Sequence, residues 1–179
     1  MKIITQEEFD TFKVRVINKC MKDIKEYGSN KSNFEFHPSI YLKAFNKTYK
    51  EIPLPGELFG SDHGKDICVN IIKKMITTAE SPVVCFATEG YQAQIDKDNV
   101  DINNLPRPSE LPEDQRDEVL FMSFEAHNLP PYFISFTKEY DKESNAWSLK
   151  PHPRLRDALK EQGTPSLSET GRFSNFYSN

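Results

Sequence analysis

Val83-Val84-Cys85-Phe86-Ala87 is apolar at every position, so both alternating faces of an extended chain would carry hydrophobic side chains here. That pattern describes a central strand covered on each side, or sandwiched between a helix and a loop. It places these residues near the middle of a sheet. Immediately upstream, Ser61 or Asp62 can cap a helix whose Cys68, Ile71, Ile72, Met75 and Ala79 share a face, and Ser81-Pro82 closes that helix.

Further toward the N-terminus, Thr5-Gln6-Glu7-Glu8 has capping-box spacing and predicts a helix start. Phe9, Phe12, Val16, Cys20, Ile24 and Tyr27 then form one stripe, and Gly28 offers a left-handed stop. Phe34, Phe36, Ile40, Leu42 and Ala44 follow period two, and Asn46-Lys47 separates them from a second extended stretch at Tyr49, Ile52 and Leu54. A hairpin results, with Pro53 and Pro55 pushing its second strand to an edge.

Beyond the central run, 96–117 is rich in Asp, Asn and Pro and reads as a long excursion. Val119–Phe124 and Tyr132–Phe136 are rich in strand formers, joined by the short Asn128-Leu129-Pro130-Pro131 link. A short polar helix is expected over 154–162. The fold class is therefore α+β: an antiparallel sheet of about five strands with helices mainly on one face, in the order α-β-β-α-β-β-β. One domain spans 1–162, and 163–179 forms a tail whose Phe173, Phe176 and Tyr177 argue for docking.

Composition narrows the function. Lys and Arg number 23 against 27 Asp and Glu, for a formal charge of -4, with no basic stripe. This disfavours a general nucleic-acid binder, whose affinity comes largely from phosphate neutralisation. Stacking of single-stranded bases on Phe121, Phe124, Tyr132, Phe133 or Phe136 is a third-ranked reading that the acidic balance opposes. Cys20, Cys68 and Cys85 lie far apart inside apolar runs, which gives neither a metal pair nor a disulfide set and fits a reducing cytoplasm. No apolar stretch reaches the length of a membrane span, and no export signal is visible at the start.

Among chemical motifs, the chain has no GxSxG elbow, P-loop or GxGxxG, so no nucleotide cofactor is expected. His37, His63, His127 and His152 fall in no metal-ligand spacing; a zinc centre would need His37 and His127 brought together with Glu89 or Asp117 by the fold alone. No metal or other cofactor is assigned. Glu89, just past the apolar centre of its strand, can meet Arg116 or Arg107 from the returning loop, and such a pair would pin that loop across the sheet. A sharper alternative gathers Glu89, Glu110 and Glu118 into an acid/base or hard-cation site, and with Arg116 beside them they would make the site of a small hydrolase. Tyr91, Arg107, Ser109, Phe173 and Phe176 are the candidate binding residues.

The segment Ala87-Thr88-Glu89-Gly90-Tyr91, with Pro108 to Leu120 after it, resembles an uncharacterised group of small bacterial and phage proteins. In that group a strand ending in Ser-Glu-Ala-Trp precedes a Pro-Ser-Glu-His-Pro-x-x-Arg-x-Glu run and another strand. Glu89, Pro108, Ser109, Glu110, Pro112, Arg116 and Glu118 match, whereas Tyr91 replaces the Trp and Leu111 the His. The likeness covers about 40 residues and implies a prokaryotic or phage origin without implying an activity. The element order also resembles the profilin-like arrangement of roadblock and longin modules, a likeness of architecture alone. The expected function is that of a non-enzymatic interaction or accessory protein in the cytoplasm, binding a protein partner or a second copy through a sheet face and the 96–117 loop.

Overall fold

A computed structural model describes residues 3–29, 34–43, 49–93, 108–151 and 176–177. Its elements are α1 (Gln6–Tyr27), β1 (Ser39–Lys43), β2 (Tyr49–Pro53), α2 (Asp62–Thr78), β3 (Val83–Ala93), β4 (Arg116–Ala126), β5 (Leu129–Asp141) and β6 (Ala146–Pro151). Short 3-10 turns cover Gly56–Gly60, Pro108–Glu110 and Glu113–Gln115. The α+β class holds, and the strands form one antiparallel sheet in the order β2-β1-β3-β4-β5-β6. β3 lies between β1 and β4, as its unbroken apolar run requires.

Both helices start where side-chain oxygens can serve their first N–H groups. Thr5 and Glu8 form the reciprocal capping box on α1, and Ser61 accepts from the Gly64 N–H on α2. α1 buries Phe9, Phe12, Val16, Cys20 and Ile24 but leaves Tyr27 exposed; α2 buries Cys68, Ile72 and Ile76. Gly28 is not the left-handed stop its position suggested, since its φ is -83°. It is needed for space: a β-carbon there would meet the Ile24 carbonyl and come within 2.6 Å of Trp147 Cδ1.

The two helices cover opposite faces of the sheet, which corrects the expectation of helices mainly on one side. α1 packs with Tyr41, Cys85, Ala87, Leu120, Met122 and Phe124, whereas α2 packs with their strand neighbours Ile40, Leu42, Val84 and Phe86. Adjacent residues of a strand point to opposite sides, so a run apolar at every position needs two covers. Phe12 meets Phe124 edge-on on the α1 side, and Phe59 stacks on Phe86 on the other.

The sheet has six strands, one more than expected. β6 escaped notice because it is short and alternates Trp147 and Leu149, which are buried, with exposed Ser148 and Lys150. It returns from β5 through a turn in which Asp141 accepts from the Glu143 N–H and the Ser144 hydroxyl, and Asn145 takes φ 50°. The β4–β5 turn lies at His127-Asn128, so Pro130 and Pro131 fall inside β5. They are tolerated there because β6 pairs with Phe136–Asp141 only, leaving the proline end of β5 as an edge. Residues 34–38, expected as strand, lie outside the ladder ahead of β1, in no regular element. The expected helix over 154–162, Arg107 and Phe173 lie outside the described residues.

Candidate functional site

Glu89 of β3, Glu118 of β4 and Lys138 of β5 sit on three neighbouring strands, all on the α1 side. Register explains why: Glu89 opposes Leu120, Tyr91 opposes Glu118, and Thr137 opposes Val119, which sets Lys138 beside Glu118. Lys138 Nζ lies 2.6 Å from Glu89 Oε1 and 2.7 Å from Glu118 Oε1, and it donates to the Phe34 carbonyl at 2.7 Å. Its side chain is 0% exposed and lies 4.5 Å from the Trp147 ring centre. Glu89 is 14% exposed and Glu118 40%, so the cluster opens to solvent on the Glu118 side.

A fully enclosed ammonium requires such company, because burying an unpaired charge costs several kcal/mol even after relaxation (of order 3–5 when one partner is removed). Two carboxylates, a carbonyl and an aromatic face replace its water. For Glu89, burial is the dominant influence and pushes its pKa above the ordinary carboxylate value. The Lys138 ammonium and the Phe36 backbone N–H pull the other way, and Glu118 adds to the rise. The cluster therefore clasps the segment 34–38 to the sheet through Phe34 and Phe36.

This geometry corrects the pairing expected from the sequence. Glu89 meets Lys138, not Arg116. Arg116 opposes Ala93 at the end of the β3–β4 ladder, four residues along β3 from Glu89, and it lies instead with its guanidinium 4.2 Å from the Tyr91 ring centre while donating to the Ser109 carbonyl at 2.5 Å. The described end of the returning loop, 108–115, is thus fastened by a cation on an aromatic face and a backbone carbonyl. Three residues separate Pro112 from Arg116, one more than in the resembled run, and they form the 3-10 turn Glu113–Gln115, whose Gln115 N–H donates to the Pro112 carbonyl at 3.0 Å. Glu110 and Ser109 are exposed in the preceding turn.

Of the four candidate catalytic residues, the fold therefore gathers Glu89 and Glu118 on one lysine and puts Arg116 on Tyr91. Lys138 was missed by sequence reasoning. Its signal was present, since Ile134, Phe136 and Lys138 share one parity in a strand whose apolar members face inward. Two clefts on the α1 side are lined by other residues: one of about 370 Å³ includes Glu7, Arg15, Lys43 and Tyr49, and one of about 440 Å³ includes Lys19, Asp23, His37 and Glu51. In the latter, Lys19 bridges Asp23 and Glu51, and the Tyr41 hydroxyl donates to Glu51 at 3.3 Å while accepting from Cys20.

All three cysteines are buried, and burial pushes the Cys20 thiol up to about 12, so the reactive thiolate is suppressed. His37, His63 and His127 are exposed, and among the described residues no group of three His, Cys, Asp or Glu side chains is placed to hold a metal. Of the strand aromatics, Phe124 and Phe136 are core, while Phe121 and Phe133 are half-buried and stacked at 6.1 Å. Among the described residues no helix is long and apolar enough to cross a membrane. No family model, curated protein or solved structure matches the chain.

Proposed function

We infer that this is a non-enzymatic interaction protein that engages a protein partner, or a second copy, through the sheet surface at Tyr91 and the loop fastened beside it. The observation that carries this reading is the contrast between two neighbouring charge sites. Glu89 and Glu118 are occupied by an enclosed lysine, while Tyr91 stays 47% exposed with Arg116 against its ring. An aromatic ring and an arginine held in fixed relation at a surface are the residue types that dominate binding energy at protein interfaces. Ser109 and Glu110 extend the same surface. The resemblance of 87–91 and 108–120 to bacterial and phage proteins supports a prokaryotic or phage setting, and three buried free thiols support a cytoplasmic one.

The test is affinity capture from the cell of origin with immobilised wild type, Tyr91→Ala and Arg116→Ala. The expected result is a discrete set of proteins held by the wild type and lost from both variants. Identical capture by all three chains would overturn the assignment.

A small hydrolase is the second reading, favoured by one observation: two carboxyl groups in unlike surroundings, Glu89 largely buried with its pKa raised by that burial and Glu118 more exposed, share one lysine, and acid/base pairs are built from such unlike neighbours. It predicts that Glu89→Gln and Glu118→Gln abolish turnover of whichever ester, amide or glycoside the wild type cleaves in a substrate panel. No turnover by the wild type removes it.

A further inference from the structure

Phe176 and Tyr177 pack on the α2 side of the sheet. Phe176 is 3% exposed and belongs to the same apolar cluster as Leu42, Cys68, Ile72, Val84 and Phe86. Its backbone N–H donates to Glu125 Oε2 at 2.8 Å, and Glu125 is itself buried in β4. The Tyr177 hydroxyl donates to the Ser81 carbonyl at 3.0 Å, and its ring meets His127 edge-on at 6.0 Å. Groove and occupant are remote in sequence: Glu125 is 51 positions from Phe176, and Ser81 is 96 from Tyr177.

These contacts have the parts of linear-motif recognition. An apolar pocket takes one aromatic side chain, a carboxylate reads the backbone N–H of that residue, and a carbonyl at the end of α2 reads the next hydroxyl. We propose that the groove formed by α2, β1, β3 and β4 is a docking site for a Phe-Tyr segment, and that the segment it accepts from outside is Phe176-Tyr177 of a second copy. Residues 152–175, which join β6 to the segment, could span at most about 85 Å if fully extended. That is roughly twice the width of a domain of this size, about 40 Å. The tether therefore reaches a neighbour's groove as well as its own, and the same contacts form in either case. The proposal is independent of the surface at Tyr91.

The test uses the full chain carrying Phe176→Ala and Tyr177→Ala, which leaves the groove intact and its resident removed. A synthetic peptide of residues 172–179 is expected to bind this variant saturably and raise its Tm by about 5 °C or more at hundredfold excess over Kd, while a scrambled peptide has no effect. If the variant is unfolded alone, the peptide is expected to restore its folded signal. Mixing the variant with Glu125→Lys chains, or with the milder Glu125→Gln, which carry an intact segment and an impaired groove, should double the mass seen by light scattering. A peptide that neither binds nor refolds the variant overturns the groove. Peptide binding with a mixture that stays monomeric overturns the exchange and leaves the groove to the chain's own Phe176-Tyr177.

Discussion

Lys138 Nζ stands 2.6 Å from Glu89 Oε1 with its whole side chain out of solvent, on the far side of β4 from the strand that carries the glutamate. That one contact ties β3 to β5 across the strand between them. With Glu118 and the Phe34 carbonyl it also fixes the segment that leads into β1.

Removing the ammonium strands two carboxylates, one of them largely buried. Lys138→Met is expected to cost about 3–5 kcal/mol in urea unfolding. Adding Glu89→Gln to Lys138→Met should recover part of the loss, because the carboxylate left without its partner is then neutral. A loss under about 1 kcal/mol for the single variant would mean that the cluster does not form.

The pH dependence has a definite sign. Burial raises the Glu89 pKa in the folded chain above its ordinary value of 4.5, so the folded state holds this proton more readily than the unfolded one. The resulting contribution is fully present below 4.5 and is lost as pH rises through the folded value. Wild type should therefore gain stability relative to Glu89→Gln as pH falls through that window. Carboxyl NMR should show Glu89 titrating above 4.5, and a midpoint below that would reverse the sign.

Gly28→Ala separates two physical effects. A helical φ of -83° gives alanine a propensity advantage of up to about 1 kcal/mol. The missing β-carbon also makes room for Trp147 and the Ile24 carbonyl, and crowding such a site costs about 1–3 kcal/mol. We expect net destabilisation in thermal unfolding. A neutral or stabilised variant would show that Trp147 yields easily.

Arg116→Ala should release the 108–115 turns while leaving the core alone. Hydrogen exchange at Gln115 is expected to accelerate, with global stability falling by no more than about 1 kcal/mol, the scale of an exposed cation on an aromatic ring. Unchanged exchange would show that the turns hold themselves.

Much of the architecture was readable from the letters because it rests on local rules. The capping box at Thr5, the stripe from Phe9 to Ile24, and the double-sided run at Val83–Ala87 each encode their own structure. Which helix covers which face was not readable, since period two says only that two covers are needed. The ion cluster was half readable: Glu89 stood out, but its partner depended on strand register, and a shift of one residue would have turned Lys138 to the other side. Arg116 was the nearer cation in sequence; the β3–β4 ladder puts it by Tyr91 instead.

Photocrosslinking tests the central claim most directly. A benzophenone amino acid placed at position 91, and separately at exposed Thr78 at the end of α2, is irradiated in cells of the native host. The account predicts a discrete protein adduct from position 91 and none from 78. Equal adducts from both positions, or none from 91, would contradict it.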